Sequence, residues 1–482
     1  MILGLDIGTS SVRAALYDKA GNVLPRTMVK NERTLTATDD GGAEIDADEA
    51  FDQIVVLIDD VLKKSEKVKG DITHVASSSF WHSIVGVDAN GNSMTKVFGW
   101  ADTRSRDQVG VLRKKFNETD VHNRTGARFH SSYWAAKLLW LRSERIDEWN
   151  KTAQWISLSD YLVLKLFGNA VTSISMASGT GIFDIRKCVW DRELLKFLKI
   201  EPDKLPQISD AISMLDSKYA KRWPRLKSAR WFPAIGDGTA SNIGSGCVQK
   251  NKAALMIGTS GAMRVAYKGS PPKTIPKGLW CYRIDRKTVI VGGALSDGGG
   301  LYAWLKNNLH IDRSDAAVGK EMANRGADSH GLTVMPFFAG ERSTGYNETA
   351  KGAILGLTMS HDAIDVLQAA MESVAFRFAE IFDQIKSVTQ VDEIVVSGGA
   401  IDASPVWTQM IADVFGRDLC VLDKHEASMR GAVLLALESI GKIESIDSVP
   451  ISKIKIEFHP KCHEIYKNAQ KRHEKAYKLL MS

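Results

Sequence analysis

Leu3-Gly4-Leu5-Asp6-Ile7-Gly8-Thr9-Ser10-Ser11-Val12-Arg13 opens the chain, and a variant returns midway as Ala254-Leu255-Met256-Ile257-Gly258-Thr259-Ser260-Gly261-Ala262-Met263-Arg264. Each copy follows an apolar run and leads back into apolar residues, the pattern of a strand, a tight glycine turn and a second strand. Such a turn exposes consecutive backbone N–H groups that can cradle a phosphate without a cationic side chain. The copies differ where chemistry would differ, with Asp6 in the first and Met256 in the second. The pair predicts a duplicated scaffold whose halves face one phosphate chain, with a metal-handling carboxylate in only one half.

Bulk properties agree with two soluble domains. A chain of 482 residues exceeds one ordinary core. With 44% hydrophobic and 25% charged residues it has globular balance. The net charge of +6 suits anionic small molecules and argues little for nucleic acid. No apolar run approaches bilayer length, and the first residues run directly into a strand without a basic leader pattern. Cys188, Cys247, Cys281, Cys420 and Cys462 form no paired framework, which points to a reducing cytoplasm.

Periodicity organises the rest. A third strand is expected near 22–30, then a helix capped by Asp46 with apolar Phe51, Ile54, Val55, Ile58 and Leu62. A strand is expected over 73–79, helices over 134–142 and 159–166, and new strands from Ala253 and over 288–293. Helices over 361–386 and 405–415 flank a strand over 393–397, and a basic amphipathic helix over 466–480 is expected to dock its apolar stripe on the body. His459, Cys462 and His463 lack a fourth metal ligand at useful spacing. Mixed α/β domains with central sheets follow, hinged around 240–252.

Five groups can carry chemistry. Asp6, beside the Gly8-Thr9-Ser10 turn, can hold Mg²⁺ directly or through water; alternatively it bonds its own turn. Asp237, in Gly236-Asp237-Gly238, can orient a substrate hydroxyl and accept its proton, or simply cap a helix. The glycines of Gly298-Gly299-Gly300 and Gly398-Gly399-Ala400 allow close approach of a nucleotide, or are ordinary turns. Trp81, His82, Asp102 and Arg104 follow two strands, where a ligand crevice is usual; a buried Trp and a surface ion pair would account for the pieces separately. Gly340-Glu341-Arg342 reads as a closing loop at the cleft or as a surface turn.

In this order the segments resemble the FGGY family of carbohydrate kinases, within the actin/hexokinase/Hsp70-like superfamily. The resemblance is carried by Asp6-Ile-Gly-Thr-Ser10, Trp100-Ala-Asp102-Thr-Arg104, Gly236-Asp237-Gly238, Ile257-Gly-Thr-Ser260, Gly340-Glu341-Arg342 and Lys351-Gly-Ala-Ile-Leu-Gly-Leu-Thr358. It implies two ribonuclease-H-like α/β domains, residues 1–245 and 246–482, with mixed central sheets and an interdomain cleft clamping MgATP and a sugar. It further implies Asp237 as the base, Asp6 at the metal, and Gly8, Thr9, Ser10, Gly258, Thr259 and Ser260 on phosphates. Gly299, Gly399 and Ala400 would lie near adenosine, and Trp81, His82, Asp102 and Arg104 would bind the sugar.

Ser78-Ser79-Phe80-Trp81-His82-Ser83, Arg124-Thr125-Gly126 with His130, and Cys281-Tyr282 are similar to gluconokinase members. Gluconate is therefore the expected acceptor, with Arg104 or Arg128 as carboxylate partner. A xylulokinase-type pentulose kinase, or a nucleotide-dependent regulator on the same scaffold, is the alternative. Trp81, the run Ser343-Thr344-Gly345-Tyr346 and the run Asp402-Ala403-Ser404 depart from the family pattern. The expected partners are a small sugar or sugar acid, with no nucleic acid and no membrane; a homodimer is left open.

Overall fold

The apolar strands around each glycine turn nucleate one mixed sheet apiece. The computed structural model describes residues 1–422, 427–450 and 452–481. In the first sheet β1 (Ile2–Ile7) pairs antiparallel with β2 (Ser11–Tyr17), which pairs with β3 (Val29–Glu32). On the other side β1 lies parallel to β4 (His74–Ser79), and β4 is parallel to both β5 (Arg230–Trp231) and β6 (Ile235–Gly236).

The second sheet uses β7 (Lys252–Ile257), β8 (Gly261–Lys268), β9 (Trp280–Arg283), β10 (Thr288–Leu295), β11 (Glu393–Ser397), β12 (Leu419–Leu422) and β13 (Lys453–Ile456). Their order is β9-β10-β8-β7-β11-β12-β13, with β7–β11 and β11–β12 parallel. Both sheets are mixed, as expected, and helices cover them.

The two turns are not superimposable. The first is closed by Gly8 N–H to the Ser11 carbonyl at 3.0 Å, the second by Gly258 N–H to the Ser260 carbonyl at 2.8 Å. The second is one residue shorter. Arg13 therefore stands opposite Asp6, whereas Arg264 stands opposite Ala254, further down its strand. On β8, Met263 and Val265 enter the core of the second half, and Ala266, on the same side as Arg264, packs with Ala240 and Trp81 of the first. Alternation alone thus aims Arg264 at the interdomain boundary.

Local chemistry sets the helix ends. Asp46 accepts the Asp48 and Glu49 N–H groups at the start of Ala47–Lys64. Asp362 and Asp365 form a capping box for Ala363–Lys386, and Pro405–Phe415 ends at Gly416 in the left-handed conformation. The third strand lies later than expected, because residues 18–28 are spent on turns closed by Asp18. The terminal helix starts at Pro460, six residues early, and buries Tyr466, Ala469, His473 and Ala476.

One element crosses between halves. Helix Ala427–Ser439 puts Met429, Ala432 and Val433 into a core shared with Ile2, Ala15 and Ala76 of the first sheet. It also meets helix Asp237–Gly244 backbone to backbone. A side chain at Gly431 would enter the Ala240 carbonyl, and one at Gly244 would enter the Ala427 carbonyl. These two helices form the pivot between the sheets.

Candidate active site

Three glycine segments converge at one end of the second sheet. Gly299 N–H donates to the Gly258 carbonyl at 2.8 Å, and Gly300 N–H to the Thr259 carbonyl at 2.9 Å. These bonds take up carbonyl oxygens of the turn. A side chain at Gly299 would collide with the Gly258 carbonyl and Ala400, so the three segments pack tightly. Beside them opens a cavity of about 850 Å³, lined by Gly258, Thr259, Gly299, Gly399, Ala400, Ile311 and Trp407. A Cβ on Gly399 would meet no atom of the described residues within 4 Å. A nucleotide fits this arrangement of polar turn, bare backbone and apolar wall.

The first turn is braced differently. Arg33 donates from its guanidinium to the Gly8 carbonyl at 3.2 Å and from its backbone to the Ser10 carbonyl at 2.8 Å. Ser78 Oγ donates to Asp6 Oδ1 at 2.5 Å. A carboxylate beside a serine hydroxyl and the Gly8-Thr9-Ser10 turn is a fitting hard-cation partner, the role expected for Mg²⁺ beside phosphates.

Asp237 is the first residue of its helix, with Gly236 at the cap position, so it is not an N-cap. Its Oδ1 accepts Gly238 N–H at 2.7 Å. Trp81 lies beneath this segment: any side chain at Gly236 or Gly238 would run into its indole ring. Trp81 is 6% exposed, donates Nε1–H to the Ser175 carbonyl and meets Tyr282 edge-on with centroids 5.0 Å apart. It forms the floor under Asp237, and offers little open face to a sugar. His82, with φ of 71°, places Nδ1 2.5 Å from the Gly179 carbonyl and packs edge-on against Tyr133. Burial holds its pKa well below the ordinary imidazole value, so the ring is neutral at pH 7.

Asp102 and Arg104 are adjacent and buried but engaged with each other. Arg104 Nη2 lies 2.5 Å from Asp102, its Nη1 lies 2.7 Å from Glu44, and its Nε bonds Asp102 at 3.2 Å. Arg128 is held by Glu118 at 2.8 Å and the Lys277 carbonyl at 3.1 Å. Neither guanidinium offers an open fork. Glu341 and Arg342 also separate: Glu341 turns inward to Arg377 at 2.6 Å and to the Tyr477 hydroxyl at 2.8 Å. Arg342 faces the cleft, its guanidinium carbon 5.5 Å from the Trp100 ring centroid.

Sequence reasoning gave Arg264 and Lys137 no role and read Arg342 only as part of the Gly340-Glu341-Arg342 loop. Arg264 was visible as a lone charge inside the apolar strand Gly261–Lys268, which a solvated residue would not occupy. Lys137 is buried, donates to the Ser131 and Ser132 carbonyls at 2.8 and 2.7 Å, and burial lowers its pKa to about 7. Near the terminal helix His459 and Cys462 do meet a third group, Asp413, but Asp413 is taken up by the His459 and Gln409 N–H donors.

Burial raises the Asp237 pKa above the ordinary carboxylate value, opposed by Arg264, the Gly238 N–H, Arg342 and the Trp81 N–H. A base must be ionised to act. Activity should therefore be full above this raised pKa and fall as pH drops through it. A kcat profile at saturating substrates should place its acid limb above pH 3.8; a rate that holds level down to that value would remove Asp237 from the role.

Residues 1–223 match the model of the FGGY family of carbohydrate kinases, N-terminal domain, and residues 253–439 match its C-terminal domain. A gluconokinase of Bacillus subtilis (strain 168) is 30% identical over 466 residues, covering 93% of this chain and 89% of the relative. The solved gluconate kinase of Lactobacillus acidophilus superimposes with a TM-score of 0.91 at 25% identity, covering 100% of this chain and 98% of that one. The ligand-bound xylulose kinase of the same organism also gives a TM-score of 0.91 at 25% identity, covering 99% and 98%. Among the described residues no helix is long and apolar enough to cross a membrane.

Proposed function

Because this chain belongs to the FGGY family of carbohydrate kinases, we propose that it transfers the γ-phosphoryl group of MgATP to a hydroxyl of a sugar acid, gluconate foremost. The observation that carries the reading is Asp237, a carboxylate at a helix start, within electrostatic reach of Arg264 and Arg342 from the other half. It accepts the proton of the acceptor hydroxyl, while the turns closed by Gly8 and Gly258 hold phosphate oxygens through the N–H groups of Thr9, Ser10, Thr259 and Ser260. Mg²⁺, when bound beside Asp6, supplies charge neutralisation on those oxygens. Neutral His82 positions the acceptor, and the Trp81 floor holds the Asp237 segment and excludes water beneath it. Gluconate is favoured over a neutral ketose by the motifs shared with gluconokinases and by the cations gathered at the cleft.

A screen of ADP release over gluconate, xylulose, ribulose and glycerol tests the reading; gluconate should give the highest kcat/KM. A maximum at xylulose would instead support the pentulose kinase, and ATP binding with no acceptor-stimulated turnover would support a regulator. Asp6→Asn should raise the Mg²⁺ concentration for half-maximal rate roughly tenfold or more. Mg²⁺ titration of the steady-state rate measures this, and an unchanged midpoint would take Asp6 away from the metal.

A further inference from the structure

We propose that Arg264 and Arg342, one on β8 and one on the loop after Gly340, form a two-pronged clamp for the carboxylate of the acceptor. This inference rests on the sugar-acid reading and names what recognises the acid. Arg264 is 6% exposed, and its Nε and Nη1 are buried without any hydrogen-bond partner among the described residues. Buried guanidinium N–H groups are costly unless an acceptor meets them. Its stem passes so near Gly292 that a Cβ there would press on Cα and Cγ, and its head lies against Gly238, where any Cβ would press on Nε and Cζ. The donor fork therefore lies next to the residue following Asp237.

Arg342 lies within electrostatic reach of both Asp237 and Arg264, its guanidinium carbon 5.5 Å from the Trp100 ring centroid, and it forms no ion pair with a carboxylate among the described residues. The nearby acids do not neutralise the pair. Asp102 is committed to Arg104, Glu341 to Arg377, and Glu348 to the Ser131 N–H and hydroxyl. Asp237 stays within electrostatic reach without forming an ion pair, as a base that must remain available requires. Two guanidiniums facing one ionised acid leave one positive charge for an anionic ligand. A planar carboxylate matches a guanidinium fork, whereas the hydroxyls of a ketose would leave the charge uncompensated.

Gluconate and the neutral polyol glucitol, titrated calorimetrically into the nucleotide-free full chain, test the clamp alongside kinetics on gluconate and xylulose. In Arg342→Gln and Arg264→Gln, gluconate Kd and KM should rise about 30-fold or more, while kcat/KM for xylulose falls by a much smaller factor. If Arg264→Gln fails to fold, as its unfolding curve would reveal, the half-exposed Arg342→Gln carries the test. Equal loss of kcat on both acceptors with gluconate Kd unchanged would overturn the clamp and assign the arginines to the transferring phosphoryl group. A wild-type protein that phosphorylates xylulose but neither binds nor phosphorylates gluconate would overturn the sugar-acid reading itself, and the clamp with it.

Discussion

Asp237→Asn should reduce kcat about 10³-fold while changing ATP affinity less than about twofold. The substitution keeps shape and volume, so the Gly238 N–H can still be met by the amide oxygen and the Trp81 floor is undisturbed. What disappears is the capacity to take a proton. Loss should fall on kcat for every acceptor equally, because the group acts on the hydroxyl and not on the rest of the sugar. Steady-state kinetics with nucleotide binding by calorimetry measure both quantities. A variant retaining a tenth of the wild-type kcat would end the assignment of Asp237 as the base.

Gly431→Ala should cost about 3 kcal/mol of stability and lower kcat as well. The added methyl group has no space, because the Ala240 carbonyl occupies its position and Gly244 N lies 2.8 Å away. Backbone cannot give as a flexible side chain could, so the two helices must separate. Helix Asp237–Gly244 carries the proposed base at its first residue, so a displacement there should shift that carboxylate from the acceptor hydroxyl. Gly319→Ala is the control: its Cβ would meet only Val406 Cγ1 at 3.4 Å, an ordinary contact, within helix Asp315–Arg325. That change should be neutral or slightly stabilising. Denaturation curves for the two variants with matching midpoints would refute the pivot.

Local signals made much of this fold readable. Glu393–Ser397 and Pro405–Phe415 lie where β-branched residues, Pro at the first helical turn and Gly beyond the last put them. The repeated glycine turn announced two sheets, because a turn's chemistry is contained in a few adjacent residues. The site was legible only in part. Asp6 and Asp237 sit in short motifs, but the state of Arg104 depends on Glu44, sixty residues earlier, and that of Arg128 on the Lys277 carbonyl in the other half. Trp81 could not be read as a floor, since the three glycines it lies against come from segments around 179 and 236–238. Such partnerships are made by topology and leave no periodicity.

The terminal helix bears on specificity through a chain of contacts. Tyr477 donates its hydroxyl to Glu341, Glu341 is pinned by Arg377, and the next residue is Arg342. A ring on the terminal helix thereby sets the stance of a side chain that the proposed clamp places at the acceptor. Tyr477→Phe, which removes the hydroxyl on Glu341 and leaves buried His473 and Ala476 in place, should register as a change of taste, shifting the ratio of kcat/KM values among acceptors, before it registers as a loss of fold.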